Sequence, residues 1–153
     1  MQKFLIIQTA FIGDVVLATA LVEKLALFYP DAQIDFLVRK GNESLLQNNP
    51  HLHEVLIWNK KKKKTRNLLG MLKQIRRNRY DKVINVQRFF STGLLTAFSG
   101  AGETIGFNKN PLSFLFSRKI THAITKTRQS KHEVERNNDL IASFTDDSLI
   151  RPV

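Results

Sequence analysis

Short apolar runs alternate with longer segments of helical periodicity along most of the chain. The runs of β-strand type are Lys3–Gln8, Gln33–Val38, Glu54–Trp58, Lys82–Gln87, Glu103–Phe107 and Lys119–Ile124. The segments of helical type are Asp14–Tyr29, Gly41–Asn49, Asn67–Arg79, Ser91–Phe98, Leu112–Phe116 and Lys131–Phe144. A change of the hydrophobic period from two to about 3.6 residues distinguishes strands from helices. The pattern therefore predicts strands that alternate with helices from one end of the chain to the other.

This alternation indicates the fold class. Parallel strands joined by right-handed helical crossovers form an open sheet with helices on both faces. We therefore expect an α/β, Rossmann-like domain with an open parallel sheet. Ligands of such sheets bind beyond the carboxyl ends of the strands. The loops to examine are Thr9–Asp14, Asn59–Arg66 and Gln87–Ser91.

The length and composition fit one domain. The chain has 153 residues, of which 42% are apolar, and single cores usually span about 100 to 200 residues. The longest apolar segment, Val15–Phe28, is interrupted by Glu23 and Lys24 and is shorter than the roughly 18 residues of a membrane span. No signal-peptide pattern opens the sequence, so we expect a cytoplasmic location. The absence of cysteine excludes disulfides, thiolate catalysis and cysteine-based metal sites.

The segment Thr9–Asp14, TAFIGD, is a strand-to-helix turn with one glycine. Gly13 lacks a side chain, which lets the backbone turn sharply or approach a ligand closely. A dinucleotide fingerprint would need three glycines here, and a P-loop would need G-K-[ST], so neither phosphate-binding motif is present. The turn is a candidate ligand loop without a nucleotide-binding signature.

Asp14 begins the first predicted helix and has two interpretations. One is an N-cap, in which the carboxylate accepts hydrogen bonds from the first free helix amides. The other is a general base, which has to be exposed at the strand ends and within reach of the hydroxyl that it deprotonates. The two interpretations are compatible, and Asp14 is our candidate catalytic residue.

The formal net charge of +11 is concentrated in one part of the sequence. Ten of the 24 Lys and Arg residues lie in residues 59–79, which contain no Asp or Glu. A positive field attracts anionic partners such as nucleic acid, anionic lipid or phosphorylated sugars. The run Lys60–Lys64 is either a solvated loop or part of a binding surface. Nucleic-acid binding is the less favoured reading, because only Trp58 lies beside the run and no nucleic-acid motif is present.

The histidines do not predict a metal site. They are His51, His53, His122 and His132. None forms an i, i+4 helical pair, and His51 with His53 alone supplies too few ligands for a metal ion. We therefore predict no metal.

Several segments, taken in order, resemble glycosyltransferase family 9, the lipopolysaccharide heptosyltransferases. They are residues 3–38, from KFLIIQTAFIGD to QIDFLV, then YDKVINVQ at 80–87, ETIGF at 103–107, FLFSRKI at 114–120 and HEVERNNDLIA at 132–142. The resemblance implies a GT-B architecture, in which a first Rossmann-like domain holds the acceptor and a second holds the nucleotide sugar. It implies an acceptor domain over residues 1–147, the start of a linker over 148–153, and an absent donor domain without which the chain is inactive.

The same resemblance implies a chemistry and a set of residues. Asp14 falls on the family's catalytic aspartate, the base of an inverting, metal-independent transfer. The family usually has Ser or Leu where this chain has Phe11 and Ile12, which bears on the identity of the acceptor. The residues expected to bind the acceptor are Gly13, Lys60, Lys61, Lys64, Gln87, Arg118 and Arg136. For Arg118 and Arg136, structural ion pairs are the alternative role.

The implied partners are an anionic glycolipid acceptor of the Kdo-lipid A type and the inner-membrane surface, with the enzyme peripheral and cytoplasmic. The chain itself is expected to hold no cofactor, since the donor ADP-heptose would bind in the missing domain. No nucleic-acid partner is expected. The alternative function, motivated by the charge alone, is a non-catalytic basic module that binds nucleic acid or anionic membrane.

Overall fold

The strands form one open, parallel sheet. The computed structural model describes residues 2–59, 63–120, 129–146 and 148. The strands are β1 Lys3–Ile7, β2 Gln33–Arg39, β3 Glu54–Trp58, β4 Lys82–Asn85, β5 Glu103–Phe107 and β6 Arg118–Ile120. All neighbours pair in parallel, in the order β3-β2-β1-β4-β5-β6. This arrangement confirms the predicted fold class, and the strand order reverses between β1 and β4.

Helices cover both faces of the sheet. They are α1 Ile12–Phe28, α2 Lys64–Asn78, α3 Phe90–Ala97 and α4 Gln129–Asp139. Short 3-10 turns lie at Glu43–Leu45, Ser113–Leu115 and Ala142–Phe144. Within the described residues, no helix combines the length and the apolar character that crossing a bilayer requires.

The core has two layers because alternate residues of the strands point to opposite faces. Phe4 and Ile6 of β1 pack against α1 and against the residues that follow α4. Leu5 and Ile7 pack against α2 and α3. A strand buried on both faces is apolar without interruption, which explains why β1 reads KFLII rather than as an alternating pattern.

The apolar face of α2 differs from the predicted one. The helical period of the predicted segment Asn67–Arg79 predicts that Leu68, Leu69, Leu72 and Ile75 point inward. Leu69 is 55% exposed, and Met71 is buried instead. Residues three, four and seven apart share one face of a helix, so Met71, Leu72 and Ile75 continue the stripe that begins at Leu68. Leu69 is rotated about 100° away from that stripe.

Several predicted boundaries were wrong. The segment Gly41–Asn49 forms only the 3-10 turn at Glu43–Leu45, and α4 stops at Asp139 rather than at Phe144. Helix α2 begins three residues earlier than predicted, at Lys64. The last part of the predicted strand Lys119–Ile124 lies outside the described residues.

Strand β4 also stops early, at Asn85 rather than at Gln87. The Asn85 side chain provides the reason, since its Oδ1 accepts a hydrogen bond from the Gln87 backbone N–H at 2.8 Å. That N–H is thereby removed from the strand ladder. The chain turns at this point, and the Gln87 side chain lies beside the end of β1.

Candidate active site

A cleft of about 310 Å³ opens where the strand order reverses. Its walls come from the loop after β1, the loop after β4, the end of β5 and helix α4. The lining residues include Gln8, Asp14, Gln87, Arg88, Phe89 and Arg136. A crevice at this point is the usual ligand site of an open α/β sheet. The structure thus brings Asp14, Gln87 and Arg136 together, although they are far apart in the sequence.

Asp14 lies on the wall of this cleft, in the first turn of α1. Phe11 occupies the N-cap position, so the prediction that Asp14 itself is the N-cap was wrong by three residues. The carboxylate still caps the helix, because Oδ2 accepts a hydrogen bond from the Phe11 N–H at 3.2 Å. The side chain is half-buried and is accessible from the cleft. Its position is compatible with both the capping interpretation and the catalytic one.

Gln87 forms the floor of the cleft next to the end of β1. Its side chain is only 4% exposed. Its Oε1 atom accepts hydrogen bonds from the Thr9 backbone N–H at 2.8 Å and from the Thr9 hydroxyl at 2.5 Å. Among the described residues, its Nε2 atom has no hydrogen-bond partner. The loops after β1 and β4 are therefore joined through one buried amide.

Asn110 holds the loop after β4 from the other side. It is 2% exposed, and its Nδ2 atom donates to the carbonyls of Phe89 at 3.0 Å and Gln87 at 3.4 Å. Its Oδ1 atom accepts from the Leu112 N–H at 3.0 Å. Asn110 was not predicted from the sequence, because an asparagine in the segment after a strand is typical of an ordinary turn.

Positive charge surrounds the mouth of the cleft. Arg88 and Arg136 line it, and the amino ends of α1 and α3, which carry partial positive charge, lie at the same edge of the sheet. Lys64 lines a neighbouring cleft of about 430 Å³ that shares Phe89 with the first one. The predicted site residues Lys60 and Lys61 lie outside the described residues.

Large apolar side chains are exposed at the same edge. They are Phe11, Ile12, Phe89 and Phe90, each at least 55% exposed. The guanidinium of Arg39 lies 5.1 Å from the centroid of the Phe11 ring. The edge that carries the cleft therefore combines cations with apolar groups.

The structure places Arg118 away from the cleft. Its Nε atom donates to Glu103 Oε1 at 3.0 Å. Glu103 begins β5 and also pairs with Lys82 at 2.6 Å, at the amino end of the neighbouring β4. Glu103 lies at the amino end of β5, whereas Phe107 at its carboxyl end lines the cleft. The five residues of this strand span about 13 Å. The ion pair with Glu103 supports the structural alternative for Arg118, and its acceptor-binding role stays a prediction. The hydrogen bond from Lys82 holds the pKa of Glu103 below its usual value.

Gly13 precedes Asp14 in the first turn of α1 and is exposed. A Cβ atom built on it would meet nothing within 4 Å, and its φ is not in the left-handed region. The backbone therefore does not require glycine here. The remaining reason for glycine at this position is close approach of a ligand, which stays a prediction.

A second cluster of titratable groups lies near the amino end of β2. The ligand atoms of Asp35, His53 and Glu54 lie within 4.8 Å of one another. Both Asp35 oxygens have partners, since Tyr80 Oη donates to Oδ2 at 2.5 Å and His53 Nδ1 lies 3.2 Å from Oδ1. Burial and this hydrogen bond raise the pKa of Tyr80. This grouping of His53 with two carboxylates was not predicted, because Asp35 is 18 residues away from His53 in the sequence.

The comparisons with known proteins agree with one another. The sequence matches the profile of glycosyltransferase family 9 (heptosyltransferase) over residues 68–149. It is 30% identical over 146 residues to lipopolysaccharide heptosyltransferase 3 of Escherichia coli, covering 92% of this chain and 42% of that protein. It is 29% identical over 108 residues to the lipopolysaccharide core heptosyltransferase OpsX of Haemophilus influenzae, covering 71% of this chain and 30% of that protein.

Solved structures show the same fold. A family 9 glycosyl transferase from Veillonella parvula superimposes with a TM-score of 0.84 at 19% identity, covering 99% of this chain and 44% of that one. The E. coli heptosyltransferase WaaC, solved with ADP, gives a TM-score of 0.77 at 21% identity, covering 99% and 50%. The chain thus spans about half the length of these proteins, or less. The sequence matches show that this chain belongs to glycosyltransferase family 9, the heptosyltransferase family, and the shared fold agrees with them.

Proposed function

We propose that this chain binds the acceptor in an inverting heptosyl transfer of lipopolysaccharide core synthesis, with Asp14 as the general base. The observation that carries the proposal is the position of Asp14. Its carboxylate is accessible in a cleft at the point where the strand order reverses, beside two arginines. A base needs such access to the hydroxyl that it deprotonates.

The charges around Asp14 support an anionic acceptor. Arg88 and Arg136 line the cleft, and both present guanidinium groups that suit carboxylates and phosphates. We propose that they hold the acidic sugar of a Kdo-lipid A acceptor, and that the positive charges of Lys60, Lys61 and Lys64 attract it. Gly13 would let the acceptor pass close to the backbone at the start of α1.

The proposed transfer forms one bond to the donor sugar and breaks another. The acceptor hydroxyl oxygen forms a bond to the anomeric carbon of the donor sugar as the bond from that carbon to the diphosphate oxygen breaks. The hydroxyl proton passes to the Asp14 carboxylate, and the nucleoside diphosphate leaves with the bonding electron pair. Attack on the face opposite the leaving group inverts the anomeric centre. No metal ion takes part in this scheme.

The donor site belongs to the remainder of the protein in this proposal. The chain covers 42% of the E. coli relative to which it is 30% identical, and WaaC was solved with ADP. We propose that a second domain binds ADP-heptose, and that residues 1–147 form the acceptor domain with residues 148–153 leading out of it. Transfer then requires both domains, and the isolated chain binds the acceptor without turning it over.

We also propose that the protein works at the cytoplasmic surface of the inner membrane. The exposed Phe11, Ile12, Phe89 and Phe90 lie at the edge that carries the cleft and its cations. Apolar and cationic groups side by side suit an interface of anionic headgroups and acyl chains. A glycolipid acceptor would then enter the cleft without leaving its membrane.

The test joins the chain to the remaining part of E. coli lipopolysaccharide heptosyltransferase 3 and measures transfer from ADP-heptose to a Kdo-bearing acceptor. Asp14→Asn keeps an oxygen for the Phe11 N–H but does not accept a proton at neutral pH. We expect transfer to fall about a hundredfold to ten-thousandfold. The matched control is Asp31→Asn, at an exposed position in the turn before β2, which should transfer like the wild type. Equal rates for Asp14→Asn and wild type would exclude Asp14 as the base.

The cationic surface of α2 supports a second candidate, a basic module that binds nucleic acid. Lys64, Arg66, Lys73 and Arg77 are exposed, and the helix contains no Asp or Glu. Salt weakens both kinds of binding, so a salt titration does not separate them. A competition assay does: a duplex or RNA that displaces lipopolysaccharide core from the chain favours the module, and failure to displace it favours the transferase.

A further inference from the structure

The orientation of the Gln87 amide is determined by its neighbours. A backbone N–H group can only donate a hydrogen bond, and the Thr9 N–H lies 2.8 Å from the Gln87 amide. The atom facing Thr9 is therefore the oxygen Oε1. The Thr9 hydroxyl donates to the same oxygen at 2.5 Å. With Oε1 held in this way, Nε2 points away from Thr9.

The Nε2 group is a buried donor without a partner among the described residues. Gln87 is only 4% exposed, and buried side-chain donors in native proteins nearly always have an acceptor. Gln87 also lines the cleft together with Asp14 and Arg136. The cleft that Gln87 lines is the place where an occupant can supply an acceptor for this donor.

We infer that Gln87 Nε2 donates a hydrogen bond to an oxygen atom of the acceptor sugar next to Asp14, and that Thr9 is the residue that positions this donor. The inference rests on the proposed function and adds a specificity element to it. The occupant has to offer an oxygen with a free lone pair, such as a carboxylate or hydroxyl oxygen. An amino group at that place would face another donor.

Contacts within the protein hold Gln87 in this arrangement. The Gln87 backbone N–H donates to Asn85 Oδ1 at 2.8 Å, and its carbonyl accepts from Asn110 Nδ2 at 3.4 Å. The backbone and the amide oxygen are therefore both held. Only the NH₂ end of the side chain is left for the ligand, so the donor is oriented before binding, which reduces the entropy lost when the ligand binds.

The sharpest variant is Gln87→Glu. It has the same shape and keeps an oxygen for both Thr9 donors, but it replaces the NH₂ group by a second oxygen. We expect the full chain to bind a deacylated, Kdo-containing core oligosaccharide at least about tenfold more weakly, because an N–H···O contact becomes a contact between two oxygens. Calorimetric titration measures the affinity. Gln2→Glu, exposed before β1, adds the same charge away from the cleft and should bind like the wild type.

A pH titration separates this role from a structural one. Protonation of the new carboxyl group gives it an O–H donor, so the difference between Gln87→Glu and wild type should narrow as the pH falls from about 7.5 to about 5.5. In the wild-type chain, the side-chain amide resonances of Gln87 should shift on saturation with the oligosaccharide. That NMR measurement tests the contact even if the variant does not fold.

The outcomes separate the two proposals. If the oligosaccharide binds and shifts the resonances around Asp14 while the Gln87 amide stays unchanged, or if Gln87→Glu binds with wild-type affinity, the inference is wrong and the proposed function stands. If the wild-type chain does not bind the oligosaccharide at all, the proposed acceptor and the role of Gln87 are both wrong. Weak binding by Gln87→Glu that recovers at low pH supports the inference.

Discussion

A Cβ atom built on Gly93 would lie 2.2 Å from Asn110 Oδ1. Glycine in α3 thus leaves the space in which the Asn110 side chain packs against the helix. Asn110 uses this place to bind the carbonyls of Gln87 and Phe89, which precede α3. The two residues together determine the course of the loop that forms the floor of the candidate active site.

The first prediction is that Gly93→Ala destabilises the protein. Alanine favours the helix by roughly 0.5–1 kcal/mol, but the clash displaces Asn110, and overpacking of this kind costs about 1–3 kcal/mol. The cost of the clash should exceed the gain in helix propensity, because Asn110 is buried and both ends of its amide are hydrogen-bonded. Urea unfolding measures the free energy of unfolding.

The control for this prediction is Gly70→Ala. Gly70 lies inside α2, and a Cβ there would meet nothing within 4 Å. The same substitution should therefore stabilise the protein by roughly 0.5–1 kcal/mol. If both variants are stabilised alike, the packing of Asn110 against Gly93 is not a constraint on the fold.

The second prediction contrasts Arg136 with Arg118, which the sequence analysis treated alike. Arg136 lines the cleft with Asp14, whereas Arg118 pairs with Glu103 at the other end of the sheet. Arg136→Ala should weaken binding of the Kdo-containing oligosaccharide by about tenfold or more, because hydrogen bonds to charged groups contribute about 1.5–3 kcal/mol. Arg118→Ala should leave the affinity unchanged. Equal losses in the two titrations would contradict the site described here.

An inner strand such as β1 could be predicted from the sequence because burial on both faces makes it apolar. The edge strand β3 could be predicted from its apolar run VLIW, although Ile57 is exposed. Glu54–Trp58 and Glu103–Phe107 were predicted with the observed limits. The position of Asp14 followed from the same reasoning, since the loop after the first strand of an open α/β sheet lies at the ligand edge. Fold class and the location of the site are thus encoded in local periodicity and chain order.

The contacts within the site could not be predicted in this way. Thr9 and Gln87 are 78 residues apart, and nothing in either local pattern shows that one amide joins their loops. Arg118 illustrates the same limit. A basic residue in a short strand can extend toward either edge of the sheet, and the carboxylate that attracts it, Glu103, belongs to another strand.

The third prediction concerns Lys24, a lysine that is 1% exposed. Its ammonium donates to Asn138 Oδ1 and to the carbonyls of Asp146 and Ser148, and it pairs with the Asp146 carboxylate at 2.9 Å. Lys24→Met should destabilise the protein by about 1–3 kcal/mol, because these oxygens lose a buried donor. The exposed Lys73 in α2 provides the control, and Lys73→Met should change the free energy of unfolding by less than about 0.5 kcal/mol.

The same contacts predict a dependence of stability on pH. Hydrogen bonds from Ser148 and Lys24 lower the pKa of Asp146 to about 2 from its ordinary value of 3.8. With a pKa depressed in the folded state, the unfolded state binds more protons in this range, so the contribution of Asp146 is complete above about pH 4 and is lost as the pH falls toward 2. Lys24→Met should reduce this acid-dependent part without abolishing it, since Ser148 remains. Urea unfolding at a series of acidic pH values measures the free energy of unfolding. If this free energy depends on pH equally in the variant and the wild type, the prediction is contradicted.

The last prediction compares the hydroxyl of the buried Tyr80 with that of the half-buried Tyr29. Tyr80 Oη donates to the carboxylate of Asp35, which is 2% exposed, whereas Tyr29 Oη donates to the neutral carbonyl of Phe144 at 2.7 Å. Tyr80→Phe should cost about 1.5–3 kcal/mol, because it removes a hydrogen bond to a charged group, and Tyr29→Phe should cost about 0.5–1.5 kcal/mol. Both variants keep the aromatic ring, so differences in packing are small. Calorimetric unfolding of the two variants measures both losses of stability. If Tyr29→Phe is the more destabilising change, the hydrogen bond from Tyr80 to Asp35 does not contribute the expected free energy.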